Sequence, residues 1–346
     1  MLTLLSPENG AVVSLATSVQ KTFCSPEETK KRKEMDGALT FHWYALEKTD
    51  GDRSRPQPVH VTWQDKEDPD LPENLHGGSY FLLISRRKDF SDPIVIATDD
   101  CQADVWNLEI GKRYYFCVQK EGHRSDVRYF ETEKLWPRCL YIDGTSNVRD
   151  IGGIRVGKKT VRQGLFYRGG EIERHMHITE KGIRQMQQLG IKTDLDLRGE
   201  VIGQLEHHLL PLYGIKHAAM PIGPYQSILL EENRKTWRDI FRMMTHEENY
   251  PIYHHCWGGA DRGGTLAFLT EALLGFTEEQ LDFDYEYTDL SIWGLRSQNY
   301  EPYIEMKNML KAYPGKSLAE KTEKYMIKHL GLTALEIQKI RKIFLG

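Results

Sequence analysis

His255-Cys256-Trp257-Gly258-Gly259-Ala260-Asp261-Arg262-Gly263-Gly264-Thr265 lies between a short β-type run, Pro251 to His255, and an apolar helical run, Leu266 to Leu274, that Gly275 stops. A cysteine is thus followed six positions later by an arginine, across a loop too rich in glycine to be regular structure. Such a loop can turn its backbone N–H groups toward one phosphoryl group, and a helix starting at its end adds a positive dipole. The same donors stabilise a thiolate, which makes Cys256 a nucleophile. Arg262 carries a planar fork of donors that can grip two phosphoryl oxygens and neutralise charge as a transition state forms. Strand, glycine loop and helix in this order set the fold class of the C-terminal part.

Working outward, the chain after Trp136-Pro137 alternates strands with helices, the mark of an α/β fold with a largely parallel sheet flanked by helices. Glu180 to Leu189 reads as a helix ended by Gly190, and Ile191 to Leu197 as a strand. Thr277-x-x-Gln280, Ser317-x-x-Glu320 and Thr333-x-x-Glu336 read as capping boxes opening helices, the last of which buries Ile337, Ile340 and Phe344. Before Trp136 the pattern is all-β. Pro58 to Trp63, Tyr80 to Ile84 and Tyr114 to Val118 are β-branched and aromatic runs bounded by turn residues, which suits a sandwich with Trp63 in its core. Leu108-x-x-Gly111-x-x-Tyr114-x-x-x-Val118 resembles the tyrosine corner of fibronectin type III domains. The expected division is therefore 1–136, a fibronectin/immunoglobulin-like sandwich, and 137–346, the α/β domain. The charged Glu27 to Glu34 stretch and Asp50 to Pro58 read as solvated insertions without a function.

The 346 residues exceed what one small module needs, and 40% hydrophobic with 28% charged residues is an ordinary globular balance. A net charge of -4 gives no general attraction to nucleic acid, so an anion must be held by a local site. No run approaches a membrane span, and the N-terminus lacks the pattern of a signal peptide. The compartment is left open by the sequence: a soluble protein, or a periplasmic or exported one had a targeting segment been trimmed. Cys24, Cys101, Cys117, Cys139 and Cys256 are too few and odd in number for a disulfide framework. His175 and His177, His207 and His208, and His254 beside His255 form no set with metal-ligand spacing, so neither metal nor cofactor is expected.

His255-Cys256, five residues, then Arg262 resembles the signature of the protein tyrosine phosphatase superfamily, and more narrowly of its bacterial tyrosine and dual-specificity phosphatases. Asn147-Val148-Arg149-Asp150-Ile151-Gly152-Gly153, Phe166-Tyr167-Arg168-Gly169-Gly170, Asp194-Leu195-Asp196-Leu197-Arg198 and Asp284-Tyr285 extend the likeness over roughly residues 138 to 346. The resemblance implies a phosphatase that hydrolyses phosphotyrosine, and also phosphoserine or phosphothreonine, through a phosphocysteine on Cys256. Its partners would be a phosphorylated protein or a small phosphomonoester, with the sandwich domain free to dock a partner. Arg262 and the loop residues Trp257, Gly258, Gly259, Ala260 and Gly263 would bind phosphate, and Arg198 is a further substrate-binding candidate. His255 would orient the loop, and Asn147, Arg149 and Asp150 would brace it from below.

The leaving-group acid is less legible, because Trp136-Pro137 is followed by Arg138 and no Trp-Pro-Asp tripeptide occurs. Asp261 is the first candidate and Asp196 the second; each has a bracing alternative, Asp261 to loop amides and Asp196 to Arg149 or Arg198. Ala260 stands where many relatives carry lysine, which removes a cation suited to multiply phosphorylated lipids. Gly263 stands where they carry threonine or serine, which removes a hydroxyl facing the nucleophile. A weak or inactive phosphatase that captures phosphorylated ligands is therefore the alternative reading, with a rhodanese-like sulfur carrier or arsenate reductase more distant.

Overall fold

The computed structural model describes residues 1–36, 51–66, 79–199 and 209–346. His207 and His208 lie outside the described residues. The chain forms two compact units, one of Met1–Thr17 with Pro56–Trp136, the other of Ser18–Arg55 with Pro137–Gly346.

In the first unit, strands β1 (Leu2–Ser6), β3 (Val59–Asp65) and β6 (Gln102–Val105) form one antiparallel sheet in the order β1-β3-β6. The other runs β2-β9-β7-β4-β5, from β2 (Ala11–Val13), β9 (Arg128–Thr132), β7 (Arg113–Lys120), β4 (Tyr80–Ser85) and β5 (Ile94–Thr98), with β8 (His123–Arg124) on β7. Because successive side chains point to opposite faces, Val59, Val61 and Trp63 of one sheet meet Leu82, Ile84, Phe116 and Val118 of the other in a single core. Tyr114 closes the corner before its strand, its hydroxyl accepting from Glu109 N at 2.9 Å.

The second unit is mixed α/β. Its sheet runs β10 (Arg138–Cys139), β11 (Arg149–Asp150), β14 (Phe166–Gly169), β17 (Ile252–His255), β15 (Thr193–Asp196), β16 (Lys216–Ala219), and a small hairpin, β12 (Arg155–Val156) with β13 (Lys159–Thr160), lies apart. The four strands β14, β17, β15 and β16 are parallel, and the register pairs His255 with both Gly169 and Asp196. Three strands therefore end together at one carboxyl edge, where open α/β sheets place their ligands. β15 and β17 are buried along their whole length, as central parallel strands are.

Helix α5 (Arg262–Leu274) follows β17 through the quoted loop; every residue from Gly263 onward is buried, and Gly275 ends it in a left-handed conformation. Around it stand α3 (Glu180–Gln188), α4 (Glu231–Met243), α6 (Glu278–Glu286), α7 (Glu301–Lys311), α8 (Leu318–Tyr325) and α9 (Ala334–Leu345). The boxes at Thr277 and Thr333 close reciprocally. At Ser317 the expected box is only half made: Ser317 caps Glu320 N, but the Glu320 carboxylate accepts from Lys316 N instead.

Two short helices, α1 (Ser18–Phe23) and α2 (Pro26–Lys33), also belong to this unit. The residues 18–55 thus depart from the 1–136 assignment, and the charged stretch is no solvated insertion throughout. Arg32 is buried and pairs with Glu286 at 3.1 Å, while buried Gln20 donates to the carbonyls of Arg53 and Arg55. A helix whose one buried side chain is an arginine has no apolar stripe to announce its packing.

Candidate active site

Backbone geometry comes first in the loop. Gly259 has φ +65°, and a Cβ there would fall 2.1 Å from Gly169 O; at Gly258 it would meet the Trp293 ring at 2.8 Å. Only glycine lets the loop pass so near β14 and Trp293. The loop carbonyls then point outward, each to a donor. Trp257 O accepts from Glu171 N at 2.8 Å, Gly258 O from Asn147 Nδ2 at 2.8 Å, and Gly259 O from Arg168 Nη2 at 2.7 Å. Asp261 O accepts from both the N–H and the hydroxyl of Thr265, each at 2.8 Å. Among the described residues, the N–H groups of Gly258 to Gly263 find no acceptor in the chain. With every carbonyl turned away and these donors unspent, the loop is a nest for an anion.

Cys256 and Arg262 open onto a pocket of about 550 Å³ whose walls include Pro224, Tyr225, Trp257, Tyr300 and Pro302. The Arg262 guanidinium lies 5.8 Å from the centre of the Trp257 ring and, among the described residues, makes no hydrogen bond or ion pair. An unpaired arginine at the rim of an anion nest is ready to take a phosphoryl group bidentately.

Below the loop lie two buried polar networks. In one, His255 presents Nε2 to Asp194 Oδ1 at 3.0 Å and Nδ1 to Cys256 O at 3.2 Å, while Asp194 Oδ2 meets His217 Nδ1 at 2.8 Å. Burial lowers the His255 pKa, but the facing Asp194 carboxylate more than reverses this and the net shift is upward. Burial likewise opposes ionisation of Asp194, and the two histidines overcome it, holding that carboxyl well below its ordinary range. In the other network Asp284 accepts from Arg149 Nε at 2.7 Å and from Arg168 Nη1, and the same two arginines reach Asn147 Oδ1 and Gly259 O. Burial first, and the Asp284 carboxylate second, push the neighbouring Glu271 well above its usual pKa.

Residues 140–346 match the model of a family described as the Tyrosine phosphatase family. The chain belongs to that family. Among solved structures it is similar to the core catalytic domain of the PP-IP phosphatase Siw14 from S. cerevisiae in complex with citrate, at 15% identity over 54% of this chain and 96% of that one, with a TM-score of 0.34. A second structure of the Siw14 catalytic core gives 16% identity, 49% and 88% coverage and a TM-score of 0.32. A fibronectin type III domain of the human protein KIAA0970 gives 21% identity, 32% and 84% coverage and a TM-score of 0.20. No curated protein matches the chain.

Within this tyrosine phosphatase domain the sequence-derived residues separate into groups. Cys256, Trp257, Gly258, Asp261 and Arg262 line one pocket. Gly259 and Ala260 shape its floor through the carbonyls that Arg168 holds. Gly263 sits beneath: a Cβ there would stand 3.8 Å from His254 Nδ1 and 3.9 Å from Cys256 Sγ, ordinary contact distances. Asn147 donates to Gly258 O of the loop, and Arg149 donates to Asn147 Oδ1.

Asp150 does not: its carboxylate accepts from Arg138, Gly152 N and Gly164 N at the sheet edge. Asp196, the second acid candidate with pairing to Arg149 or Arg198 as its alternative, and Arg198, a substrate-binding candidate, are spent on each other. Arg198 donates through its backbone N, Nε and Nη2 to Asp196 and through Nη1 to buried Glu171 at 3.0 Å, so neither faces the pocket.

Asp261 is the single carboxylate among the described pocket-lining residues, and its side chain keeps 37% exposure. It does not cap loop amides. Its two oxygens instead take Nε and Nη2 of buried Arg296 at 2.9 and 2.8 Å, and Tyr225 donates to Oδ1 at 2.5 Å. Arg296, Tyr225, Tyr300, Arg168 and Asp284 went unassigned in the sequence reading. Only Arg168 and Asp284 carried a signal, as members of the motifs quoted for the resemblance; nothing in the spacing of Arg296 marks it as a partner for a residue 35 positions earlier.

Proposed function

We propose that this phosphatase hydrolyses aryl phosphate monoesters, phosphotyrosine in proteins or peptides above all, through a thiol-phosphate intermediate. The supporting observation is the nest: among the described residues, the six successive N–H groups of Gly258 to Gly263 have no acceptor and Arg262 has no ion-pair partner, and Cys256 and Arg262 line one pocket with Trp257, Gly258 and Asp261. The Cys256 thiolate attacks phosphorus in line, the P–O bond to the leaving group breaks, and Asp261 gives that oxygen its proton. Water then attacks phosphorus of the phosphocysteine while the Asp261 carboxylate takes its proton; the P–S bond breaks, releasing phosphate and regenerating the thiolate. Loop donors and Arg262 stabilise the charge gathered on the equatorial oxygens in both steps.

Aromatic and proline walls, Tyr225, Trp257, Tyr300, Pro224 and Pro302, suit a flat aryl group. Among the described lining residues the cations are Arg262 and Arg296. Arg296 is committed to Asp261, and Ala260 brings no charge. An inositol pyrophosphate, the substrate class implied by the name of one Siw14 structure, would leave most of its charge unpaired by the described lining residues. Comparing kcat/KM for a phosphotyrosine peptide, a phosphoserine peptide and an inositol pyrophosphate tests this. The phosphotyrosine peptide should lead, and a lead for the inositol pyrophosphate would refute the assignment. For the first unit we propose a fibronectin type III-like docking module; the pairing of the β1-β3-β6 sheet with the β2-β9-β7-β4-β5 sheet in one core and the corner made by Tyr114 support it.

A further inference from the structure

Active-site residues held by a long loop need something behind the loop. The stretch 291–300 carries Trp293 under Gly258, Arg296 on Asp261 and Tyr300 in the pocket wall. We infer that residues 18–36, placed in sequence between β2 and β3, brace this stretch from behind, with Arg32 as a positioning residue for Asp261. The inference rests on the proposed phosphatase chemistry.

Arg32 is held from several sides. Its guanidinium stacks 3.7 Å from the Phe23 ring and donates to Phe23 O at 3.0 Å and Thr29 Oγ1 at 3.1 Å, with Nε directed at Glu286 Oε2. The other oxygen of Glu286 accepts from both Gln298 N at 2.9 Å and Gln298 Nε2 at 3.1 Å. One residue on, Asn299 Nδ2 donates to Lys33 O at 3.0 Å and Met35 O at 2.8 Å, carbonyls left open at the end of α2. Two adjacent residues of the stretch are thereby tied to one short helix. Two positions before Gln298, Arg296 is aimed with its backbone N on Asp289 Oδ1 and its Nη1 on Leu295 O, which leaves Nε and Nη2 for Asp261. The route from α2 to the carboxylate is continuous.

A buried ion pair such as Arg32–Glu286, with side chains 5% and 2% exposed, adds little net stability over a hydrophobic replacement. What it does supply is direction, because a bidentate carboxylate fixes the backbone of Gln298 in one place. Loss of the pair should therefore act on the geometry at Asp261 more than on the anion nest, whose carbonyls are held by Glu171 N, Asn147 and Arg168 and touched by the stretch only through the Trp293 ring beside Gly258.

The test compares kcat for phenyl phosphate and 4-nitrophenyl phosphate, together with vanadate inhibition, in wild type, Arg32→Ala, Asn299→Ala and Asp261→Asn. Poor leaving groups need the proton and good ones do not. Arg32→Ala should lower kcat for phenyl phosphate about tenfold more than for 4-nitrophenyl phosphate, in the direction of Asp261→Asn, with vanadate affinity within about twofold of wild type. Asn299→Ala, at an exposed side chain, should shift the ratio the same way by less, and it carries the test if Arg32→Ala does not fold. A ratio unchanged in both variants while Asp261→Asn alters it overturns the brace and leaves the phosphatase standing; a ratio unchanged in all three overturns the link to Asp261. If wild type hydrolyses neither ester, the phosphatase reading itself fails. Amide hydrogen exchange then decides: residues 291–300 should exchange faster in Arg32→Ala, with α5 unaltered, and unchanged exchange there refutes the brace.

Discussion

Gly263→Thr adds a hydroxyl beneath the proposed nucleophile, Cys256, and the distances at Gly263 set the size and direction of the effect. The added Cβ would meet His254 Nδ1 at 3.8 Å, Cys256 Sγ at 3.9 Å and His254 Cε1 at 4.0 Å, so it enters without displacing backbone. Gly263 stands in the first turn of α5, where threonine is tolerated. A hydroxyl bonded to a charged sulfur contributes ~1.5 to 3 kcal/mol, a factor of about ten to a hundred if the bond acts only when thiolate leaves phosphorus. His254 competes for that hydroxyl: burial, with Arg168 and His255 nearby, pushes its pKa well below 6.5, so its neutral ring can accept. The lower end, roughly tenfold, is therefore expected. Stopped-flow hydrolysis of 4-nitrophenyl phosphate should show a burst and a slow steady rate in wild type, with a faster steady rate and smaller burst in Gly263→Thr. Gly263→Ala is the control, since it adds about 0.5 to 1 kcal/mol of helix preference but no hydroxyl, and its steady rate should stay at the wild-type value. Equal steady rates in the threonine and alanine variants, with no burst in wild type, would refute slow phosphoenzyme breakdown. Binding of a phosphorylated ligand without hydrolysis in all three would favour capture over catalysis.

Gly259→Ala should fold yet lose oxyanion binding and turnover by at least about a hundredfold, as loss of a transition-state donor does, because φ +65° is left-handed and the new Cβ would stand 2.1 Å from Gly169 O; vanadate titration beside circular dichroism checks both parts. Arg262→Lys keeps the charge but loses the fork, so turnover and vanadate affinity should fall together, and unchanged kinetics would exclude the phosphate clamp. Asp289 carries a pKa raised to about 7, by burial first and Glu286 second, against the backbone N–H of Arg296. Between about pH 4 and about pH 7 the unfolded chain has lost that proton while the folded one keeps it, so stability falls as pH rises. Asp289→Asn, which still accepts from Arg296 N, should flatten this slope in urea unfolding across that window, and an unaltered slope would contradict the burial of the carboxyl.

Covalent and periodic signals were legible in the sequence. The Cys256 to Arg262 spacing, the strand on one side, the apolar run from Leu266 and the stopping Gly275 are local, and each is where the sequence places it. The alternation that buries Val59, Val61 and Trp63 was equally readable. Long-range polar pairing was not. Arg296 finds Asp261 only because the stretch after α6 returns over the pocket, and Arg32 finds Glu286 across 254 positions. For Asp196 the bracing alternative with Arg198 is the one the structure makes, and it removes Arg198 from the substrate-binding role: two residues apart at a strand end, they satisfy each other before either can face a substrate. Polar partners chosen by topology leave no period in the sequence.

The central claim is that Cys256, in an anion-binding loop, carries the phosphoryl group. Steady-state hydrolysis of 4-nitrophenyl phosphate by wild type and Cys256→Ser, with vanadate binding measured on both, tests it most directly. Wild type should turn over and Cys256→Ser should not, while vanadate affinity stays close to wild type because the amides of Gly258 to Gly263 and Arg262 remain. Turnover by Cys256→Ser above a few per cent of wild type, or hydrolysis absent from both, would contradict it.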